Sequence, residues 1–222
     1  MSLLAEYAKS TIGRKTLMGL TGLGLCLFVL IHMAGNLLLF VSPEKFNHYG
    51  DALSTNPLLP VAEIGLIVFF VGHIVVAFFV TLTNRRAHRT AYAVKPPKSR
   101  DATLASKTLI YSGLVILAFL ILHLITFKFG TVYKVTYGTT EMRDLYKLVT
   151  EIFHNPLMVA WYVISLTILG FHLSHALSAS FQTLGLLSSR DVLLRRISVT
   201  YALVVCTGFT AEAVGVLLGG IK

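Results

Sequence analysis

The sequence predicts an all-α membrane protein, a bundle of five transmembrane helices with a cytoplasmic N-terminus and its C-terminus outside. Three observations carry that prediction. Of the 222 residues, 55% are hydrophobic and 13% charged, where soluble domains carry about 25% charged residues. Five apolar runs each approach the ~20 residues that cross a bilayer core. The basic residues between those runs sort to one side. The mean hydropathy of +0.75 excludes a disordered chain and argues against a soluble enzyme. In a soluble protein the net charge of +9 would suggest a nucleic-acid partner. Here loop charge explains it, and no nucleic acid is expected.

The first span runs from about Leu17 to Val41 and stops at Ser42-Pro43. Arg14 and Lys15 ahead of it look like the start of a signal peptide. The stretch is too long for that and lacks a small-x-small cleavage site, so it is read as a mature helix. The second span follows Pro60 and reaches about Thr83; the third covers about Thr108–Phe127. The fourth follows Asn155-Pro156 and reaches about Phe181, and the fifth covers about Ile197–Leu218 before Gly219-Gly220. Proline suits a helix start, where its missing N–H costs nothing. The whole chain, 1–222, reads as one transmembrane domain. The third connection is long, and Met142, Leu145, Leu148, Val149 and Ile152 predict an amphipathic surface helix over about 141–153.

Thirteen basic residues lie in the N-terminal segment and the second and fourth connections, against six on the other side. Positive-inside sorting gives the orientation stated above. Cys26 and Cys206 sit inside apolar runs. They form no disulfide framework and are too few for an ordinary iron–sulfur cluster.

Five of the eight histidines lie within spans: His32, His73, His123 and the pair His172/His175. One such histidine alone is as well explained by interhelical packing. One in each of four consecutive helices, with none in the fifth, points to function. His32 lies 17 residues beyond Lys15 and His123 lies 16 beyond Lys107, both roughly 25 Å from the cytoplasmic charges. His73 lies 13 residues beyond Pro60 and His172 lies 16 beyond Pro156, roughly 20–24 Å from the outer side. An outer pair and a more loosely matched inner pair result. Two imidazoles at each of two depths suggest two bis-histidine haems stacked across the membrane. His172 and His175, three apart, share a helix face, so spacing does not choose between them. Gly24 and Gly65, each eight residues before a histidine, suit either close approach of a porphyrin or plain helix packing. Met33 adjoins His32, cannot share its face and is expected to face lipid.

Ser10-Thr-Ile-Gly-Arg14-Lys leads into Ile31-His32-Met-Ala-Gly-Asn36-Leu. Gly72-His73, Leu122-His123-Leu and Phe171-His172-Leu-Ser-His175-Ala-Leu-Ser-Ala-Ser-Phe-Gln182-Thr-Leu-Gly185 follow. Together these resemble the cytochrome b subunit of bacterial succinate dehydrogenase/fumarate reductase, of the five-helix, two-haem type, over nearly the whole chain. The resemblance implies a membrane anchor in the bacterial cytoplasmic membrane with two haem b. Its partners would be a flavoprotein subunit and an iron–sulfur subunit, with complexes able to pair as homodimers. Electrons would pass between a quinone, menaquinone or another, and the iron–sulfur subunit, while succinate/fumarate chemistry resides on a partner subunit. It implies His32 and His123 as ligands of the outer haem, and His73 and His172, rather than His175, as ligands of the inner one. It further implies a carboxylate near the outer haem that takes protons from quinol. Glu63 fits that catalytic place, with His48 and Asn36 as further quinone-site candidates. Some family members carry a glutamate two residues before the fourth ligand as part of a proton path; here Gly170 stands there. Glu212, a carboxyl inside the fifth apolar run, is unexplained; a proton relay and a pairing with a neighbour both suit it. A two-haem anchor of a hydrogenase or formate dehydrogenase is the competing reading.

Overall fold

The computed structural model describes residues 6–7, 10–87, 108–186 and 192–221. Helix α1 spans Thr11–Asn36 and continues as a 3-10 turn, Leu37–Phe40. It begins six residues before the apolar run because Ser10 Oγ accepts the Gly13 N–H at 2.9 Å, a standard N-cap. Helix α2, Pro43–Ser54, is capped by Ser42 with proline at its first position. Helix α3 covers Leu59–Ala87. Helix α4, Leu109–His123, widens into a π-helical stretch at Leu124–Lys128. The basic connection expected after α3 falls on residues 88–107, outside the described residues.

The long connection departs from expectation. Strands β1 (Lys134–Tyr137) and β2 (Thr140–Arg143) pair antiparallel with Lys134 opposite Arg143. Gly138, at φ +60, opens the two-residue loop and Thr139 keeps a negative φ, the pattern of a II′ hairpin turn. The surface helix α5 therefore starts at Leu145, not Glu141, and ends at Phe153. Asp144 caps it, accepting the Lys147 N–H at 3.0 Å. Helix α6, Pro156–Thr183, is capped by Asn155, and α7 covers Val192–Leu217, five residues earlier than its apolar run.

Five helices are long and apolar enough to cross a membrane. Helices α1, α6 and α7 pack together and bury residues along their lengths, from Gly19 and Cys26 to Leu173, Val205 and Val216. By contrast, among the described residues α3 packs mainly along α1 and α4 mainly along α6. Ser112 is the single buried residue in α4, and α3 has none among those whose side chains are described. Their apolar surfaces suit a lipid solvent, which supplies no hydrophobic penalty for exposure.

One end of the bundle, the hairpin end, carries an ordered polar cap. Asn47 on α2 is fully buried. Its Nδ2 donates to Asp144 Oδ1 (2.9 Å) and Tyr137 Oη (3.3 Å), and its Oδ1 accepts the Tyr146 N–H (2.9 Å). Arg143 Nη2 donates to the carbonyls of Phe127 (3.0 Å), Gly130 and Thr131 (3.4 Å each). It thereby covers the orphan carbonyls that close α4, with its charge at the favourable end of the helix dipole. The opposite, basic end carries Arg14 and Lys15; the Arg14 guanidinium lies 5.4 Å from the Phe79 ring centre.

Candidate functional site

The two diagonals of the bundle, α1 to α4 and α3 to α6, are not packed along one another. Each is bridged by a pair of histidine rings. His32 on α1 and His123 on α4 have ring centres 5.8 Å apart at 87°. His73 on α3 and His172 on α6 have ring centres 6.5 Å apart at 69°. Among the described residues His175 is in no ring pair; it lines a recess of about 470 Å³ at the basic end with Lys15 and Gln182.

Each paired imidazole has its Nδ1 beside a polar atom. His73 Nδ1 lies 3.2 Å from Thr21 Oγ1, and His172 Nδ1 lies 3.0 Å from Ser112 Oγ. Those hydroxyls already donate to backbone, Thr21 to the Leu17 carbonyl (2.7 Å) and Ser112 to the Leu109 carbonyl (2.9 Å). A hydroxyl has one proton, and with that proton on the carbonyl each is free to accept from the imidazole. In that arrangement Nδ1 carries the N–H and Nε2 of both rings keeps a bare lone pair. That is the state a metal ligand needs.

The hairpin-side pair is built differently. His123 Nδ1 lies 3.1 Å from Tyr162 Oη, a phenol with no backbone acceptor of its own. His32 Nδ1 lies 3.5 Å from Asn36 Nδ2, which donates to the His32 carbonyl at 2.8 Å. Aromatic rings crowd this pair: Phe28 and Phe209 against His32, Phe119 and Phe127 against His123.

Thr21 stands eleven residues before His32 on α1, and Ser112 eleven before His123 on α4. Eleven residues make three turns, so each helix presents a hairpin-side ligand candidate and a partner for the basic-side pair on one face. The interval is about 16 Å along both helices, an axial separation of the two pairs. Sequence reasoning missed Thr21, Ser112 and Tyr162, although this common offset was available to it.

Two imidazoles sharing one metal through about 2.0 Å bonds stand about 6 Å apart between ring centres. Both pairs match that spacing. Among the described residues no group of three or more His, Cys, Asp or Glu gathers, so neither level supplies a full tetrahedral set. Two imidazoles at each level, with no further ligand from the described residues, suit a planar macrocycle that brings its own nitrogens.

The glycines divide. A Cβ on Gly24 would run into the Phe69 ring, so this glycine seats an α3 side chain. Gly65 faces open space, while a Cβ on Gly22 would lie 3.5 Å from the His73 ring. Met33, expected to face lipid, is instead buried against Gly208 of α7. The three quinone-site candidates have separate partners. Glu63 pairs with Lys128 at the end of the π stretch, His48 packs on Tyr137 at 5.6 Å, and Asn36 serves His32. In the cap, Lys134 donates to Glu141 at 2.7 Å, which raises the lysine above its ordinary pKa.

The chain matches no protein-family model, no curated protein and no solved structure.

Proposed function

We propose that the chain is the di-haem cytochrome b anchor of a succinate:quinone oxidoreductase in a bacterial cytoplasmic membrane. The observation that carries this reading is the two histidine pairs, each spaced for one metal and separated by about 16 Å along the bundle. The sequence motifs around His32 and His172 support it. Held by each pair, a haem would supply a one-electron carrier.

The chain's own residues do the rest. His32 and His123 hold the outer group; His73 and His172 hold the inner one. Thr21 and Ser112 fix the tautomer and angle of the inner rings, and Tyr162 and Asn36 orient the outer ones. The hairpin end faces outward and the basic end inward, where the flavoprotein and iron–sulfur partners dock. Quinol oxidation at the outer end releases protons. Glu63, an acidic residue at that end of α3 with Lys128 beside it, takes one of them.

A dithionite-reduced minus oxidised optical spectrum with haem counted per chain tests the reading. Two b-type haems per chain are expected, and a folded chain without haem ends it. Glu63→Gln is expected to slow quinol turnover while leaving both haem spectra unchanged; unaltered turnover removes Glu63 from the mechanism.

A further inference from the structure

Among the described residues, Glu212 of α7 is the one side chain of the Asp, Glu, Lys and Arg types that is buried, at 5% exposure. Its Oε1 has no hydrogen-bond partner. Ser165 on α6 is 1% exposed, and its Oγ also lacks one. A buried helical serine ordinarily bonds back to a carbonyl of the preceding turn, as Ser198 does to Leu194 at 2.9 Å. Ser165 does not.

Packing registers bring the two orphans to one level. Helices α6 and α7 run antiparallel, and a Cβ on Gly170 would lie 3.3 Å from Cys206 Sγ. Five residues along each helix sets Ser165 opposite position 211, next to Glu212. Helices α1 and α7 run parallel at a constant offset. Tyr201 Oη donates to the Cys26 carbonyl (2.7 Å), Met33 packs at Gly208 and Phe40 at Gly215. That register puts Glu212 level with Leu37, one residue beyond Asn36. Three residues before Glu212 is Phe209, whose ring centre is 5.6 Å from that of His32. The carboxyl is therefore one helical turn from the ring that touches the hairpin-side pair.

A lone carboxylate in a low-dielectric interior is costly unless positive charge balances it. No lysine or arginine is buried with this one. The titratable groups on the elements packed against this part of α7 are His32 on α1, Tyr162 on α6 and Tyr146 on α5. The 3-10 turn has none. The charge that would vary nearby is the one on a metal held by His32 and His123.

We propose that Glu212 binds a proton when an electron enters the hairpin-side haem and releases it when the electron leaves. This rests on the function proposed above. The iron goes from ferric to ferrous, and one proton from water at the hairpin end bonds to Oε1. Both depart on reoxidation. The electron is the quinol's, and the unpartnered Ser165 Oγ lies at the level of the neutral acid.

The test is a reduced-minus-oxidised infrared spectrum of the purified chain, with an optical redox titration across neutral pH. A carbonyl band of a protonated carboxyl is expected to appear on reduction, to shift in Glu212→Asp and to be lost in Glu212→Gln. The potential of the wave that His123→Ala removes is expected to fall with rising pH, and to flatten in Glu212→Gln. A band and a slope that survive in Glu212→Gln overturn the proposal. If that variant does not fold, an unshifted band in Glu212→Asp overturns it. Haem present with no such band overturns this proposal alone; an intact chain without haem overturns it together with the function.

Discussion

The two histidine pairs share one geometry and differ in what holds them. On the basic side the partners are aliphatic hydroxyls whose single protons are committed to backbone carbonyls. The imidazoles there can donate from Nδ1 to those hydroxyls. On the hairpin side the partners are a phenol and an amide, packed among four phenylalanines. The phenol leaves the direction of its hydrogen bond open, while the amide nitrogen of Asn36 can only donate. The two pairs thus differ in the donors and acceptors set behind them. The hairpin-side pair is also the one with a lone carboxyl a turn away.

The largest effects come from the rings themselves. His73→Ala or His172→Ala is expected to lower haem content from two per chain to one, with the hairpin-side spectrum intact; His32→Ala or His123→Ala does the reverse. His175→Ala keeps both. Loss of a haem in His175→Ala with retention in His172→Ala would reverse the assignment.

Next come the partners. Ser112→Ala or Thr21→Ala is expected to weaken retention on the basic side by roughly 10–100-fold, the usual result of removing a hydrogen bond behind a ligand. Tyr162→Phe is expected to leave the basic side untouched and alter the hairpin-side spectrum and its pH response. Haem retention and potential read per level would blur the contrast if both variants acted on both pairs.

Smaller effects fall in the cap. Asn47→Leu strands Asp144 and the Tyr146 N–H, and is expected to cost about 1–3 kcal/mol of stability, read as a fall in melting temperature with two haems still bound. The smallest is Lys134→Ala on the exposed hairpin, where no measurable change is expected at neutral pH. The Lys134–Glu141 pair raises the lysine above its ordinary value. Any contribution is therefore complete at neutral pH and lost only as pH rises through that raised value.

Hydropathy made the five spans legible because it reads what lipid covers. It misjudged their ends because helices outrun lipid. Ser10 starts α1 ahead of Arg14, and α7 runs through Arg195 and Arg196 before its apolar stretch. The hairpin is hard to read from sequence because strands of four residues give a faint alternation, and a lone Gly138 is a weak turn signal. The histidine pairing followed from depth alone, since 1.5 Å per residue is a dependable ruler in a helix. The hydroxyl partners did not, because a threonine or serine in a span is ordinarily bonded to its own backbone. Glu212 was visible as a carboxyl in an apolar run, but only packing shows that nothing answers it.

The limited packing of α3 and α4 bears on how the molecule is put together. Each leans mainly on one post of a frame made by α1, α6 and α7, with Glu63 and Lys128 linking the two at the hairpin end. A change that loosens α3 or α4 therefore leaves the packing of that frame on itself in place.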